Sequence, residues 1–149
     1  MMKLHKSVTR QKDKGQGLTE FALVIPILLL LVLGIIEFGH LLFVYSAVSA
    51  ASREAARYGS AVHDTGGGVK QYEDCAGIRE AAKRVGSLAG IQDGDITIEY
   101  DDGSTVYDTS CPPTQHVYIA DRITVKITTD FRPLVPLVNL PPIPITSTT

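Results

Sequence analysis

An uncharged apolar run near the N-terminus constrains this chain more than any other part of its sequence. Residues 21–36 contain no charged side chain, and Glu20 stands directly before them. These sixteen residues make roughly 24 Å of helix, whereas continuing to Tyr45 gives twenty-five residues and roughly 37 Å. Only the longer helix spans a bilayer comfortably. The sequence therefore predicts a membrane-spanning helix, with Glu37 and His40 near its outer boundary.

The charges before this run predict its orientation. The first fifteen residues contain Asp13 as their single acid, and they contain five bases: Lys3, Lys6, Arg10, Lys12 and Lys14. Positive residues beside an apolar helix favour the cytoplasmic side of a membrane. We therefore expect the N-terminus inside and everything after the helix outside. The chain has a net charge of −2, so the part after Gly15 carries −6, and this disfavours nucleic-acid binding because its usual footprint is a basic patch.

The junction between the basic segment and the apolar run has the pattern of a processing signal. A prepilin peptidase signal has a small residue before the cut, an acid at the fifth position after it and then an apolar residue, and Gly15, Glu20 and Phe21 occupy those positions. An acid at the mouth of a membrane segment costs insertion energy, so its presence indicates a function or a partner.

The N-terminal region resembles the TadE-like minor pseudopilins over about residues 15–59. Three segments carry the resemblance: Gly-Gln-Gly-Leu-Thr-Glu-Phe-Ala-Leu-Val-Ile-Pro at residues 15–26, Leu-Gly-Ile-Ile-Glu-Phe-Gly at residues 33–39, and Ala-Ala-Ser-Arg-Glu-Ala-Ala-Arg-Tyr-Gly at residues 50–59. The cysteine pair, the Phe-Arg-Pro-Leu segment at residues 131–134 and the late strands are also similar to that family, although each is a weak signal alone.

This resemblance implies a role in assembly and no enzymatic activity. A prepilin peptidase would cut between Gly15 and Gln16, and Glu20 would pair with the N-terminal amine of a neighbouring subunit. The chain would be a minor subunit that initiates, tips or stabilises an adhesive tight-adherence (type IVc) pilus. Its partners would be the peptidase, other pilins and pseudopilins, the assembly platform in the membrane, and membrane lipid.

Pro26 interrupts the apolar helix and removes the hydrogen bond to the Ala22 carbonyl. One interpretation is that a membrane helix simply tolerates this proline. The other, implied by the resemblance to pilins, is that a helix weakened at Pro26 extends when subunits pack into a filament.

Two other fates of the N-terminus stay open. A general secretory signal would need a cleavage site soon after its apolar core, but the best candidate, residues 48–50, comes fourteen residues after Ile36. The second alternative is an uncleaved single-pass anchor that carries a scaffold or adhesin domain.

The rest of the sequence predicts a small α+β domain. We expect a leader at residues 1–15, a transmembrane and assembly helix at residues 16–59, and an extracytoplasmic domain at residues 60–149. Helical spacing of apolar residues predicts a second amphipathic helix over about residues 71–89. Alternating residues and turn chemistry predict a hairpin at residues 96–107 and a strand at about residues 122–129, with its apolar side toward the second helix. A proline-rich extended loop follows at residues 133–144, and a short final strand begins near Ile143.

The two cysteines are both predicted outside the cytoplasm, which favours a disulfide between Cys75 and Cys111. Two free, buried thiols are the alternative. The four histidines are scattered, and no histidine, cysteine and carboxylate cluster has metal-ligand spacing. Pairs of neighbouring aspartates at residues 93 and 95, and at residues 101 and 102, are explained better by turns than by calcium binding. We expect no cofactor, no metal and no catalytic residue.

Overall fold

The computed structural model describes residues 13–134 and 141–149, with side chains from Gly15 onward. The chain divides into two units, residues 1–38 and residues 39–149. Most of the predicted leader and residues 135–140 of the proline-rich segment lie outside the described residues.

Helix α1 (Asp13–Gly59) is the longest element of the chain. It contains Pro26 and ends at the glycine that the sequence predicted as its stop. Its last part, from Gly39 onward, belongs to the second unit. There it contributes one buried face, formed by Val44, Val48, Ala51, Ser52, Ala55 and Gly59.

Helix α2 (Cys75–Gly86) is shorter than the sequence predicted. It begins at Cys75 rather than near Gln71, because the Asp74 carboxylate accepts a hydrogen bond from the Gly77 amide at 3.0 Å and so caps the helix at that point. A 3₁₀ turn (Ser87–Ala89) follows, and Gly90 ends it with a left-handed φ of 73°.

The face that we predicted to be buried on the second helix is only partly buried. Ile78, Ala81 and Ala82 lie in the interior as expected. Val85 and Leu88 are exposed, and Leu88 retains 80% of its accessible surface. The helix ends at Gly86, so Leu88 lies in the 3₁₀ turn, where the helical spacing that would bury it no longer applies.

Four antiparallel strands form one sheet in the order β2-β1-β3-β4. The strands are β1 (Ile96–Asp101), β2 (Val106–Asp108), β3 (Arg122–Phe131) and β4 (Ile143–Thr148). The predicted hairpin and the predicted long strand are both present. The final strand that we predicted from Ile143 is present as β4, and it includes Pro144, the last residue of the predicted loop. An edge strand accommodates proline because one of its sides needs no ladder hydrogen bonds.

The core of the second unit lies between one face of this sheet and the two helices. Strand β3 buries Val125, Ile127, Thr129 and Phe131 and alternates them with more exposed residues. The sheet side chains form one cluster with residues of both helices, including Val48 of α1 and Ile78 of α2. The apolar side of β3 therefore packs with α1 as well as with the predicted α2. The α+β fold class that the sequence predicted is confirmed.

A buried hydroxyl cluster also joins α1 to the last strand. The Ser52 side chain is fully buried, and its Oγ lies 2.8 Å from the Ser147 Oγ and 3.0 Å from the Thr149 Oγ1. Buried polar groups need such partners. The contact fixes where the end of the chain lies along α1.

Candidate functional site in the N-terminal helix

The apolar side chains of the first part of α1 are exposed. From Gly15 to Phe38 nearly every residue is exposed, including leucines, isoleucines and phenylalanines. Full burial of one such side chain is worth about 1.5–3 kcal/mol, so this surface strongly favours an apolar environment. The α1 segment from Gly15 has a window with a mean hydropathy of 2.8 and is long and apolar enough to cross a membrane.

Four of the residues that we predicted for processing or assembly lie together at the start of this helix. Gly15, Gln16, Glu20 and Phe21 fall within its first turns. The Gln16 Nε2 donates a hydrogen bond to the Glu20 Oε1 at 3.4 Å, and the Thr19 Oγ1 donates to the Gly15 carbonyl at 2.8 Å. The Glu20 carboxylate is exposed, and Phe21 beside it keeps 65% of its surface.

The bond between Gly15 and Gln16 lies inside the helix in this structure. Gly15 precedes Gln16 and Gly17 follows it. A glycine lowers the stability of a helix by roughly 1 kcal/mol relative to alanine. These two glycines therefore lower the cost of unwinding this end of α1.

Pro26 lies farther along the same helix, and α1 remains helical on both sides of it. The missing amide of Pro26 leaves the Ala22 carbonyl without its usual helical donor. Proline therefore does not end the helix here.

The two cysteines lie in the second unit, apart from this segment. Cys75 and Cys111 form a disulfide, with 5.6 Å between their Cα atoms, as the sequence predicted. The bond joins the first residue of α2 to the loop between β2 and β3. The Tyr100 hydroxyl, which is buried next to it, donates to the Tyr72 carbonyl at 2.5 Å. Burial raises the pKa of this phenol.

A buried carboxylate organises the same loop, and the sequence did not single it out. The Asp108 side chain accepts hydrogen bonds from the amides of Ser110, Thr114 and Gln115 and from the Thr114 hydroxyl. The Ser110 amide and the Thr114 hydroxyl hold the pKa of Asp108 well below its usual range. The signal was present as an aspartate at the end of a strand, but turn chemistry alone does not reveal burial.

The aspartates of the predicted turn, Asp101 and Asp102, bind groups of the turn and of the neighbouring strand. The Arg122 guanidinium pairs with the Asp101 carboxylate at 2.7 Å and lowers the pKa of that carboxyl. Asp102 accepts from the amides of Ser104 and Thr105. Among residues 13–134 and 141–149, no group of three or more histidine, cysteine, aspartate or glutamate side chains could hold a metal ion.

Comparison with known proteins gives one similarity, which lies in the N-terminal segment. Searches of curated proteins and of solved structures give no match. A family model described as TadE-like protein matches residues 15–57. The matched residues lie within α1 and include Gly15, Gln16, Glu20 and Pro26. The match confirms the resemblance that the sequence motifs indicated: residues 15–57, within α1, are similar to the TadE-like proteins.

Proposed function

We propose that this chain is a minor pseudopilin that helps to assemble, initiate or tip an adhesive tight-adherence pilus. The observation that carries this proposal is that the family match at residues 15–57 coincides with a helix whose apolar surface is uncovered up to Phe38. A structural subunit needs such a surface for membrane and partner helices. The likeness to TadE-like proteins supports a structural role for this chain rather than an enzymatic one.

The first step of this function is removal of the leader by a prepilin peptidase, which cuts between Gly15 and Gln16. The helical position of this bond means that the first turn must unwind before a protease can bind it in an extended form. Gly15 and Gly17 on either side of Gln16 lower the cost of that unwinding.

The cleaved chain spans the cytoplasmic membrane once, with residues 16–59 as the transmembrane and assembly helix and with the folded unit outside. Two independent features support this orientation. The positive residues precede the apolar segment, which favours an internal N-terminus. The disulfide lies after it, and disulfides form and persist in oxidising compartments outside the cytoplasm.

Glu20 then guides assembly with other pilins and with the platform in the membrane. In the uncut chain its carboxylate has a neutral partner, the Gln16 amide, at 3.4 Å. Cleavage creates a positive amine on Gln16. A neighbouring subunit shifted by about one helical turn would bring its amine to Glu20, and a charge-assisted hydrogen bond is roughly twice as strong as a neutral one. Phe21 and Pro26 belong to the same assembly surface, where Pro26 lets the helix extend during packing.

Intact-mass measurement of protein purified from membranes tests the processing step. With the peptidase present, we expect a chain that begins at Gln16. Gly15→Ala should be processed better than Gly15→Leu, because the position before the cut needs a small residue. A chain that begins at Met1 would favour the uncleaved scaffold or adhesin, and one that begins at Ala51 would favour a secretory signal.

Glu20→Ala tests the assembly step. We expect this variant to be inserted and cleaved normally but to be recovered with its pilus partners at a small fraction of the wild-type level. Glu80→Ala is the matched control, because it removes an exposed acid from α2 instead. Equal co-purification of the Glu20→Ala chain at matched expression, together with normal piliation and adherence, would remove the assembly role of Glu20.

A further inference from the structure

One end of the folded unit is apolar, and described residues from two distant parts of the sequence form it. Leu42 and Phe43 of α1 are exposed there, as are Leu134 after β3 and Ile143 at the start of β4. We call these four residues the apolar end. Each retains between 45% and 61% of its accessible surface.

Ring and strand contacts hold these residues at the same end. The His40 ring of α1 packs on the Phe131 ring at the end of β3, with 5.1 Å between the ring centroids. Phe131 pairs with Ile143 across the sheet, and Leu134 follows it by three residues. Phe131 also lies in the buried cluster with Val44, one helical turn after His40.

The opposite end of the sheet has a different chemistry. Strand β3 runs from Arg122 to Phe131, which separates its two ends by roughly 30 Å. At the Arg122 end, Asp101 pairs with Arg122 and lies opposite Val106 of β2. The turn between β1 and β2 adds Asp102. The polar and apolar ends are therefore well separated.

Covalent continuity shows at which end of the folded unit the exposed segment of α1 is attached. Gly39, the first residue of the folded unit, directly follows the exposed apolar segment of α1. His40 is the next residue, so the end that contains the His40–Phe131 contact is the end at which the membrane segment is attached. The sequence from Leu134 to Thr149 also contains no charged residue, which removes a major cost of contact with lipid.

We propose that the apolar end rests in the interfacial layer of the bilayer that α1 crosses, with Leu134 and Ile143 inserted at the level of the lipid head groups. This inference rests on the proposed membrane span. Arg132, which is exposed beside Leu134, reaches the lipid phosphates through its long apolar stem. Asp130 is also exposed, but its side chain lies on the outer face of the sheet, opposite the buried Thr129 and Phe131. The contact gives the folded unit a second attachment to the membrane besides α1.

The absence of tryptophan from the chain permits a direct test. Leu134→Trp reports on the apolar end, and Val106→Trp is its matched control because the two positions have similar exposures of 61% and 51%. Leu31→Trp reports on the proposed membrane span. Each full-length variant is reconstituted into phosphatidylcholine vesicles with and without dibrominated acyl chains, which quench tryptophan fluorescence on contact.

We expect strong quenching at Leu31→Trp, about twofold quenching at Leu134→Trp and none at Val106→Trp, because tryptophan favours the membrane interface wherever it can reach it. Ile143→Trp is a second reporter should one substitution disturb the fold, and far-ultraviolet circular dichroism together with an intact disulfide shows that each variant is folded.

Three results would overturn the inference, and they are distinguishable. Quenching at Leu31→Trp with none at either Leu134→Trp or Ile143→Trp would leave the membrane span and remove the interfacial contact. A blue-shifted but unquenched Leu134→Trp would show that protein, such as a second copy of this chain, covers the apolar end instead. No quenching at Leu31→Trp would remove the membrane span and the inference together.

Discussion

Val24 and Val48 are the same residue type in the same helix, yet Val24 is 58% exposed and Val48 is fully buried. The two halves of α1 differ in the same way. Before Gly39 the helix presents apolar side chains outward, and nearly all of its described residues from Gly15 are exposed. After Gly39 one face packs against the sheet and α2.

The composition of each half explains this difference. The first half is apolar on all sides, which is typical of a helix surrounded by lipid. The second half has small residues on its buried face, such as Ala51, Ser52 and Ala55, and charged residues such as Arg53 and Arg57 on the other. Small residues allow close approach to the sheet, whereas charges keep the opposite face in water. The two halves of this continuous helix therefore have surfaces that suit different surroundings.

Removing the disulfide should cause the largest loss of stability, and it should affect the folded unit but not the first half of α1. In a Cys75→Ser, Cys111→Ser chain the bond that closes a loop of 36 residues is lost, which costs about 3–4 kcal/mol of stability in the chain-entropy model. We expect the folded unit to unfold at a lower denaturant concentration, followed through tyrosine fluorescence. Insertion of the first half of α1 should be unchanged, because it depends on a different segment. Native exported protein with both thiols open to alkylation would contradict the disulfide itself.

The valine pair measures the difference between the two halves directly. Val48→Ala removes two methyl groups from a fully buried position and should destabilise the folded unit by about 2 kcal/mol. Val24→Ala changes an exposed position and should alter the same stability by less than about 0.5 kcal/mol. Denaturant titration of both chains in the same detergent compares them. Equal losses would show that the two halves of α1 do not differ as described.

Asp108 should change how the stability of the folded unit depends on pH: the difference between Asp108→Asn and the wild type is present near neutral pH and disappears in acid. Its pKa in the folded chain is lowered, so the stability that it contributes is present above the ordinary aspartate pKa of about 4 and is lost as the pH falls below that value. Asp108→Asn should flatten the fall in stability between about pH 5 and pH 2. Asp101, whose pKa is lowered mainly by Arg122, keeps part of the slope. Stability curves of the variant and the wild type that run parallel in this range would contradict the assignment.

Most elements of the fold could be predicted from local patterns. The apolar run predicted α1, alternation predicted β3, and the Asp-Asp-Gly-Ser turn predicted the β1–β2 hairpin. The start of α2 was placed too early because helical spacing extends past a cap, and the Asp74 side chain rather than the spacing sets that boundary. The final strand predicted from Ile143 is confirmed as β4, although Pro144 was also counted in the preceding loop, because the sequence does not show that β4 is an edge strand that accommodates proline.

The residues proposed for processing and assembly needed no tertiary information. Gly15, Gln16, Glu20 and Phe21 are close in sequence, so a helix alone brings them together. The buried carboxylate of Asp108 and the hydroxyl cluster at Ser52 could not be predicted in this way. Their partners are distant or lie in irregular loops, and Ser52 contacts residues more than ninety positions away.

The sequence by itself determined that this chain has a long apolar helix, a basic flank before it and a small α+β unit that contains both cysteines. These features depend on side-chain type and local periodicity, and both can be read directly from the sequence. The tertiary structure alone decided that the first half of α1 is exposed and that the second half has one buried face. It also decided that Leu88 is exposed and that His40 and Phe131 meet at the apolar end. The physical reason is that burial depends on which distant segments pack together, and an apolar side chain has the same character in lipid and in a protein core.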